Sequence, residues 1–233
     1  ILCFDRIKYH PDKDNQMGKR LTAKQSTEIA RNIFDKSPVV PVLSVTKVDD
    51  AIPLAKALTN GGLNVLEVTL RTKNALTVIQ EMSSVKEAVV GVGTIINRQD
   101  VKNAVSAGAK FGVSPGITDD LVLACEEYGL PLIGGVSSGS EIMQMLNRGY
   151  NFLKFFPAEV AGGISALKAL LGPFPQVSFC PTGGISMDNA EAYLNLKNVI
   201  CVGGSWIATS DMIDKKDWFE ITRRAKSSAT LGG

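Results

Sequence analysis

Short apolar runs alternate regularly with amphipathic segments from Pro38 onward, and this alternation limits the folds that the chain can adopt. The runs have the length of strands, whereas many of the segments between them begin with a capping residue and end in Gly. Strands that are apolar on both faces and alternate with helices form parallel sheets. Eight strands are predicted, at residues 38–45, 64–70, 88–94, 109–114, 131–136, 151–156, 176–181 and 198–203.

Eight strand-helix units in a chain of 233 residues predict an α/β fold of the closed (β/α)8 barrel type. An additional N-terminal helix is predicted at 22–36. No linker divides residues 21–233, which we expect to form a single barrel domain, and residues 1–20 are expected to be a leader, disordered or foreign to the barrel. The alternative is an open doubly wound sheet, but the first strand lacks the dinucleotide fingerprint that this fold favours.

Composition and charge favour a small-molecule partner. The formal net charge is +2 and the basic residues are scattered, so neither nucleic acid nor a membrane surface is expected as a partner. The four cysteines form no close pair and are expected to be reduced and buried. No apolar run approaches the ~20 residues of a membrane span. Asp5 and Arg6 interrupt the apolar residues at the start of the sequence, which therefore does not resemble a signal peptide. A cytoplasmic location is expected.

Metal chemistry is not expected. The only histidine, His10, lies in the leader, which argues against a histidine-rich metal site or a Ser-His-Asp triad. The acidic pairs 49–50 and 119–120 each stand where a helix should begin, where they fit N-capping and the helix dipole. We therefore predict no metal and no cofactor.

The second predicted strand carries polar side chains on one face. Alternation places Glu67, Thr69 and Arg71 on the side opposite Leu66 and Val68, and so inside the barrel. A buried carboxylate and guanidinium are costly unless they are paired or used. An ion pair between Glu67 and Arg71 that closes the barrel mouth is one interpretation, and a catalytic role is the other.

Lys154 lies within the apolar run NFLKFF. Alternation places it on one face with Phe152 and Phe156, pointing into the barrel if the polar face is inside. It could extend back to water. Alternatively, an amine in apolar surroundings loses solvation of its charged form and becomes a nucleophile for carbonyls. With a carboxylate nearby to move protons, this is the equipment of an imine-forming enzyme.

Glycine-rich stretches follow the last two predicted strands. Residues 181–186 (PTGGIS) and 203–205 (GGS) stand where barrels commonly bind phosphate through backbone N–H groups, and they include Gly183, Gly184, Gly204 and Ser205. Glycines also serve tight turns. The third and fourth strands end at GVGT and SPG, which could present Thr94 and Pro115 to the same cavity.

These motifs together resemble one enzyme family. The runs PVVPV, LEVTLRT, VGVGT, SPGIT, KFFPAE, FCPTGGIS and GGSW, in this order from about Pro38 to Arg224, are similar to the 2-dehydro-3-deoxy-6-phosphogluconate (KDPG) and 4-hydroxy-2-oxoglutarate (KHG) aldolases. The resemblance implies a class I aldolase that releases pyruvate and glyceraldehyde 3-phosphate without a metal in the Entner–Doudoroff route. It also implies a phosphorylated keto acid as substrate and a homotrimer.

The resemblance also assigns roles to individual residues. It implies Lys154 as the Schiff-base lysine and Glu67 as the general acid/base. The remaining implied positions are Arg71 and Thr94 at the pyruvate carboxylate, Pro115 and Phe156 at the cavity wall, and Thr182, Gly183, Gly184 and Ser205 at the phosphate.

Two features of the chain bear on the limits of the resemblance. The family often has a proline in place of Gly134, a difference that concerns the rigidity of that loop rather than the chemistry. Related phosphogalactonate aldolases typically lack an arginine like Arg71 and the hydroxyl of Thr182, so the presence of both favours the gluconate-type substrate. Two rival hypotheses remain. The first is a barrel that isomerises or condenses sugar phosphates without an imine, and the second is a barrel that only binds a phosphorylated ligand.

Overall fold

A computed structural model describes residues 19–232 and contains short parallel strands surrounded by helices. The strands pair in two sheets, of order β5-β4-β3-β2-β1-β9 and β6-β7-β8. Every pair of neighbouring strands in these two sheets is parallel, as the alternating pattern predicts. The strands are β1 (Val39–Leu43), β2 (Val65–Thr69), β3 (Val89–Gly93), β4 (Gly112–Val113), β5 (Leu132–Ile133), β6 (Gly135–Val136), β7 (Phe152–Phe155), β8 (Ser178–Pro181) and β9 (Val202–Gly204).

The two sheets are parts of one closed barrel. β5 and β6 are separated only by Gly134, so they form a single interrupted strand that belongs to both sheets. On the other side, isolated parallel bridges join Phe179 to Val199 and Thr182 to Gly203, which brings β8 against β9. The prediction of a (β/α)8 barrel is confirmed, and the alternative of an open sheet is wrong.

Helices surround the barrel and follow the predicted order. They are α1 (Ala23–Phe34), α2 (Ala51–Asn60), α3 (Ala75–Met82), α4 (Arg98–Ser106), α5 (Asp119–Tyr128), α6 (Gly139–Arg148), α7 (Gly163–Leu171), α8 (Ala190–Leu194), α9 (Ser210–Asp214) and α10 (Trp218–Ser228), with a 3₁₀ helix at Val48–Asp50. The predicted N-terminal helix is α1, which begins with a capping box between Thr22 and Gln25.

The acidic pairs do not form the N-capping hydrogen bonds that the sequence suggested. Asp50 occupies the N-cap position of α2, but its side chain makes no capping bond. The cap of α5 is Thr118, whose hydroxyl accepts from the N–H of Leu121, while Asp119 and Asp120 lie in the first turn. Acidic groups there still oppose the positive end of the helix dipole, so this part of the interpretation is consistent with the structure.

Helix α1 covers the amino-terminal mouth of the barrel. The ring of Phe34 meets those of Phe111 and Phe152 edge to face, with centroids 4.9 and 5.5 Å apart. Arg31 of the same helix donates to Oγ of Ser178, the first residue of β8, at 3.0 Å. The inner core contains Ala30, Phe34, Val40, Val65, Phe111, Val113, Ile133, Phe152, Cys180 and Cys201. Apolar packing therefore fills this end of the barrel.

Some predictions concern residues that the structure does not describe. The leader up to residue 18, with Cys3 and His10, lies outside the described residues. The other three cysteines, Cys125, Cys180 and Cys201, are buried and free, which confirms the prediction for them. Among residues 19–232, no helix combines the length and the apolar character needed to cross a membrane.

Candidate active site

Lys154 and Glu67 face each other inside the barrel. Lys154 is 5% exposed and Glu67 is 3% exposed, and Nζ of the lysine lies 3.8 Å from Oε1 of the glutamate. Their strands, β7 and β2, are not neighbours in the sheets, so the two side chains meet across the interior. Oε1 of Glu67 has no hydrogen-bond partner among the described residues. An unpartnered buried carboxylate oxygen beside an amine is placed to exchange a proton with a bound molecule.

The alternation of β7 positions Lys154 as the sequence predicts. Phe152 belongs to the inner core, whereas Leu153 and Phe155 pack in the outer core between the strands and the helices. The ammonium group lies 4.8 Å from the centroid of the Phe156 ring, within the range of a cation–π contact. Lys154 therefore remains buried and does not extend back to water.

Gly93 provides the space for the Glu67 carboxyl group. A Cβ atom at Gly93 would overlap Oε1 of Glu67 and would lie 2.8 Å from its Cδ and Cγ atoms. In the ladder between β2 and β3, Gly93 stands beside Thr69, two residues beyond Glu67. The motif GVGT was noted in the sequence, but only the register of neighbouring strands reveals that this glycine leaves room for the acid. It is a site residue that sequence reasoning missed.

Arg71 lies outside the barrel interior. β2 ends at Thr69, and Arg71 is exposed. The interpretation of Glu67 and Arg71 as an ion pair is wrong, since no acid among the described residues lies within 4.0 Å of Arg71, and Glu67 is near Lys154 instead. Thr69 is fully buried and donates its hydroxyl to the carbonyl of Leu43 at 2.9 Å. The regular alternation thus holds for Glu67 and Thr69 but ends before Arg71.

Thr94 and Pro115 lie at the carboxyl ends of β3 and β4. Thr94 is half-buried and has a φ of 65°, in the left-handed region that a β-branched residue seldom adopts. Such a conformation costs about 1–3 kcal/mol and is concentrated at functional sites. Pro115 is exposed, and its backbone would collide with a Cβ atom at Gly135. These two residues therefore border the mouth of the barrel at which Lys154 and Glu67 point.

The two glycine stretches meet at the same end of the barrel. Thr182 is 7% exposed and forms a bridge with Gly203, where a Cβ atom would overlap the threonine hydroxyl. We call residues 182–186 the glycine loop. Gly183 and Gly184 have φ values of 101° and 81°, which favour glycine. Ser205 is exposed at the end of β9.

Backbone donors are available in both stretches. The N–H groups of Gly184 and Ser205 donate to no acceptor within residues 19–232. A Cβ atom at Gly204 would overlap the indole of Trp206, so this glycine is needed for packing behind the loop. The two stretches together offer N–H and hydroxyl donors suited to an anion. Among residues 19–232, no group of three or more His, Cys, Asp and Glu side chains is arranged to hold a metal ion.

The sequence matches known aldolases over most of its length. Residues 30–224 match the family described as KDPG and KHG aldolase. The 2-dehydro-3-deoxy-phosphogluconate aldolase of Pseudoalteromonas atlantica is 50% identical over 200 residues, which cover 85% of this chain and 93% of the relative. The KHG/KDPG aldolase of Escherichia coli K12 is 48% identical over 200 residues, covering 85% and 94% of the two chains.

Solved structures of such enzymes have the same fold. KDPG aldolase from Legionella pneumophila, with pyruvate captured as a covalent carbinolamine intermediate, is 47% identical with a TM-score of 0.83, covering 86% of this chain and 98% of that one. The aldolase of Zymomonas mobilis with 3-phosphoglycerate is 43% identical with a TM-score of 0.84, covering 88% and 97%. The residues matched by the family include every candidate site position from Glu67 to Ser205. The chain belongs to the KDPG and KHG aldolase family.

Proposed function

We propose that this chain is a class I aldolase that cleaves 2-dehydro-3-deoxy-6-phosphogluconate into pyruvate and glyceraldehyde 3-phosphate. The observation that carries the proposal is the buried pair of Lys154 and Glu67, 3.8 Å apart inside a barrel of this family. We propose 4-hydroxy-2-oxoglutarate, which would give pyruvate and glyoxylate, as a second substrate, because the E. coli relative carries both names.

Lys154 is the proposed nucleophile. Its neutral amine attacks the 2-keto carbon, and loss of water from the resulting carbinolamine gives an iminium ion bonded to Nζ. The iminium accepts the electron pair of the C3–C4 bond when that bond breaks, so the pyruvate half remains as an enamine. The burial of Nζ inside the barrel, 3.8 Å from a carboxylate that can move protons, supports this role.

Glu67 is the proposed general acid and base. It removes the proton of the C4 hydroxyl as the C3–C4 bond breaks, which releases the aldehyde. It also moves protons during dehydration of the carbinolamine. Protonation of the enamine at C3 and addition of water then release pyruvate and free Lys154. The unpartnered Oε1 of Glu67 supports this role, since it has no competing bond within the described residues.

The two ends of the substrate have separate proposed sites. We assign the carboxylate to Arg71 and Thr94, where a bidentate guanidinium would fix its orientation. The exposed position of Arg71 means that its side chain would fold over the barrel mouth to reach the carboxylate. Pro115 and Phe156 are the proposed wall of the cavity.

We assign the phosphate to the glycine loop and to the end of β9. Thr182 and Ser205 supply hydroxyl donors, and the backbone at Gly183, Gly184 and Gly204 allows close approach of the anion. The N–H groups of Gly184 and Ser205, which have no acceptor in the described chain, support this assignment.

Reductive trapping tests the function. Sodium borohydride reduces an iminium to a stable amine, so incubation with pyruvate and borohydride should add the mass of the reduced pyruvyl group to one peptide. We expect this label on Lys154, its absence without pyruvate, and loss of both trapping and cleavage in Lys154→Ala. An exposed lysine variant such as Lys56→Ala is the matched control and should label normally. Trapping that persists in Lys154→Ala would contradict the proposal, and the absence of trapping would favour the two rival hypotheses.

The proposal extends to organisation and location. We propose residues 21–233 as one domain, a homotrimer as the assembly, and the cytoplasm as the location. No cofactor and no metal are proposed, because the imine supplies the electron sink. Sedimentation of the purified protein would test the trimer.

A further inference from the structure

We propose that Glu159 and Tyr193 form a clamp that positions the glycine loop relative to the strand that carries Lys154, and so determines how tightly phosphorylated substrates are held. This inference rests on the proposed function, in which the glycine loop binds the phosphate. Neither residue is assigned to the chemistry. Both are positioning residues, because they act on the substrate only through the loop.

Backbone bonds join the exit of β7 to the glycine loop. The N–H of Ala158 donates to the carbonyl of Thr182 at 2.8 Å, and the N–H of Glu159 donates to the carbonyl of Gly183 at 3.1 Å. Glu159 follows Lys154 by five positions in the segment KFFPAE. The nucleophile and the loop are therefore connected through one short piece of backbone.

The side chain of Glu159 packs directly on the loop. A Cβ atom at Gly184 would lie 2.5 Å from Cγ and 2.7 Å from Cβ of Glu159. The glutamate thus covers the glycine so closely that no side chain fits between them. A shift of Glu159 would leave Gly184 unsupported on this side.

Tyr193 of α8 fixes the far end of the glutamate. Its hydroxyl donates to Oε1 of Glu159, and its side chain is fully buried. Burial and the neighbouring carboxylate raise the pKa of Tyr193, so the hydroxyl stays protonated and remains a donor at neutral pH. Because Glu159 itself is exposed, the buried tyrosine is the rigid partner in this pair.

Asn189 holds the loop from its other end. Its Nδ2 donates to the carbonyl of Gly184 at 3.1 Å, and its Oδ1 accepts from the N–H of Ser186 at 2.9 Å. The carbonyls of residues 182, 183 and 184 are therefore all occupied as acceptors. Carbonyl oxygens turned towards a phosphate would repel it, so this arrangement favours the N–H groups as the face that an anion meets.

The clamp can be tested by separating phosphate binding from chemistry. In Glu159→Ala and Tyr193→Phe, we expect KM for the phosphorylated substrate to rise about tenfold or more, as when one hydrogen bond to a charged group is lost. We expect kcat, cleavage of 4-hydroxy-2-oxoglutarate and pyruvate trapping on Lys154 to stay at parent levels. Glu159→Gln keeps an acceptor for the tyrosine hydroxyl and should retain the parent KM.

Tyr150 provides a matched control. It is also fully buried, and its hydroxyl donates to Oε1 of Glu126 at 3.2 Å, but it lies at the other end of β7. Tyr150→Phe should leave the KM of both substrates unchanged. An equal rise in Tyr150→Phe and Tyr193→Phe, or an equal rise for both substrates, would overturn the clamp. If Tyr193→Phe fails to fold, the exposed Glu159→Ala decides, and an unchanged KM in that variant overturns the proposal.

A reference variant separates failure of the clamp from failure of the proposed function. Thr182→Val combined with Ser205→Ala removes the proposed hydroxyl donors to the phosphate and leaves the backbone N–H groups in place. If the double variant loses activity on the phosphorylated substrate but not on 4-hydroxy-2-oxoglutarate, and Glu159→Ala shows no such difference, only the clamp is wrong. If neither variant shows this difference, the phosphate assignment is wrong and the clamp is overturned with it. Selective loss in both variants supports both.

Discussion

Gly93 and Glu67 occupy adjoining space inside the barrel, so that a Cβ atom at Gly93 would overlap the carboxylate oxygen that faces Lys154. The glycine and the acid lie on neighbouring strands, and each constrains what the other position can hold. Gly93 therefore belongs to the site, although it has no side chain to contribute.

The first prediction follows from this contact. Gly93→Ala should displace the Glu67 carboxyl group and lower kcat by about 10²-fold or more, within the range of effects that general acid–base catalysis supplies. The φ of Gly93 lies outside the left-handed region, so the loss comes from the collision. Gly172→Ala, at the carboxyl end of α7, is the stability control, because its φ is −61° and the nearest atom, the carbonyl oxygen of Ala169, lies 3.8 Å from the added Cβ. Normal turnover in Gly93→Ala would contradict the assignment.

The second prediction concerns Glu67 itself. Glu67→Gln keeps the size of the side chain but removes proton transfer, so cleavage should fall ~10²–10⁴-fold. Borohydride trapping of pyruvate at equilibrium should fall far less, because slow proton transfer still allows an imine to accumulate. Steady-state cleavage and trapping measured on the same preparation check this, and wild-type cleavage would show that Glu67 is structural.

The third prediction tests the proposed phosphate contacts. Thr182→Val with Ser205→Ala removes neutral donors to an anion, worth about 1.5–3 kcal/mol each. The value of kcat/KM for the phosphorylated substrate should fall about 10²-fold or more, since remote contacts supply binding energy that orients the reacting carbon. Cleavage of 4-hydroxy-2-oxoglutarate should change little. Equal losses on both substrates would mean that these residues shape the barrel.

A fourth prediction concerns the helix that covers the amino-terminal mouth. Phe34 is 1% exposed and contacts two other buried rings, so Phe34→Ala should lower the free energy of unfolding by about 3–5 kcal/mol. Urea denaturation measures this loss. At low temperature the folded fraction should retain the KM of the parent, because the substrate is expected at the opposite mouth. A change in KM would contradict this separation of the two ends.

The last prediction uses the buried thiols. Burial raises the pKa of the Cys125 thiol to about 12, and burial together with Cys180 raises the pKa of Cys201. A raised pKa leaves the thiol protonated at pH 8, and the thiolate is the reactive form. Iodoacetamide at pH 8 should therefore leave both cysteines unmodified in the folded protein and alkylate both in urea, as peptide mapping will show. Rapid labelling of the folded protein would contradict this expectation.

Much of the fold follows from local sequence pattern. Apolar runs separated by capped helices predict the barrel, because strands apolar on both faces require cover on both sides. The fourth and fifth strands were predicted too long, and their paired segments are only Gly112–Val113, Leu132–Ile133 and Gly135–Val136. Barrel strands are tilted and staggered, so the ends of a run extend past its neighbours, and sequence alone does not give that stagger.

The site was predictable to the extent that it depends on alternation within one strand. This rule places Lys154 and Glu67 inside the barrel, where the structure has them. It fails for Arg71, because β2 ends at Thr69 and the chain then turns. The space at Gly93 and the bond between Tyr193 and Glu159 depend on the register of separate elements, which no local pattern records.

The cover formed by α1 also has a consequence for the order of events during turnover. Phe34 and the two rings that it contacts fill the amino-terminal end of the barrel. Substrate and products are therefore expected to enter and leave through the carboxyl-terminal mouth. In the proposed reaction the aldehyde half lies nearer to that mouth, while the pyruvate half is still bonded to Lys154 below it. In that reaction the phosphorylated aldehyde would have to depart before water reaches the imine formed by protonation of the enamine, so we expect ordered product release, with pyruvate last.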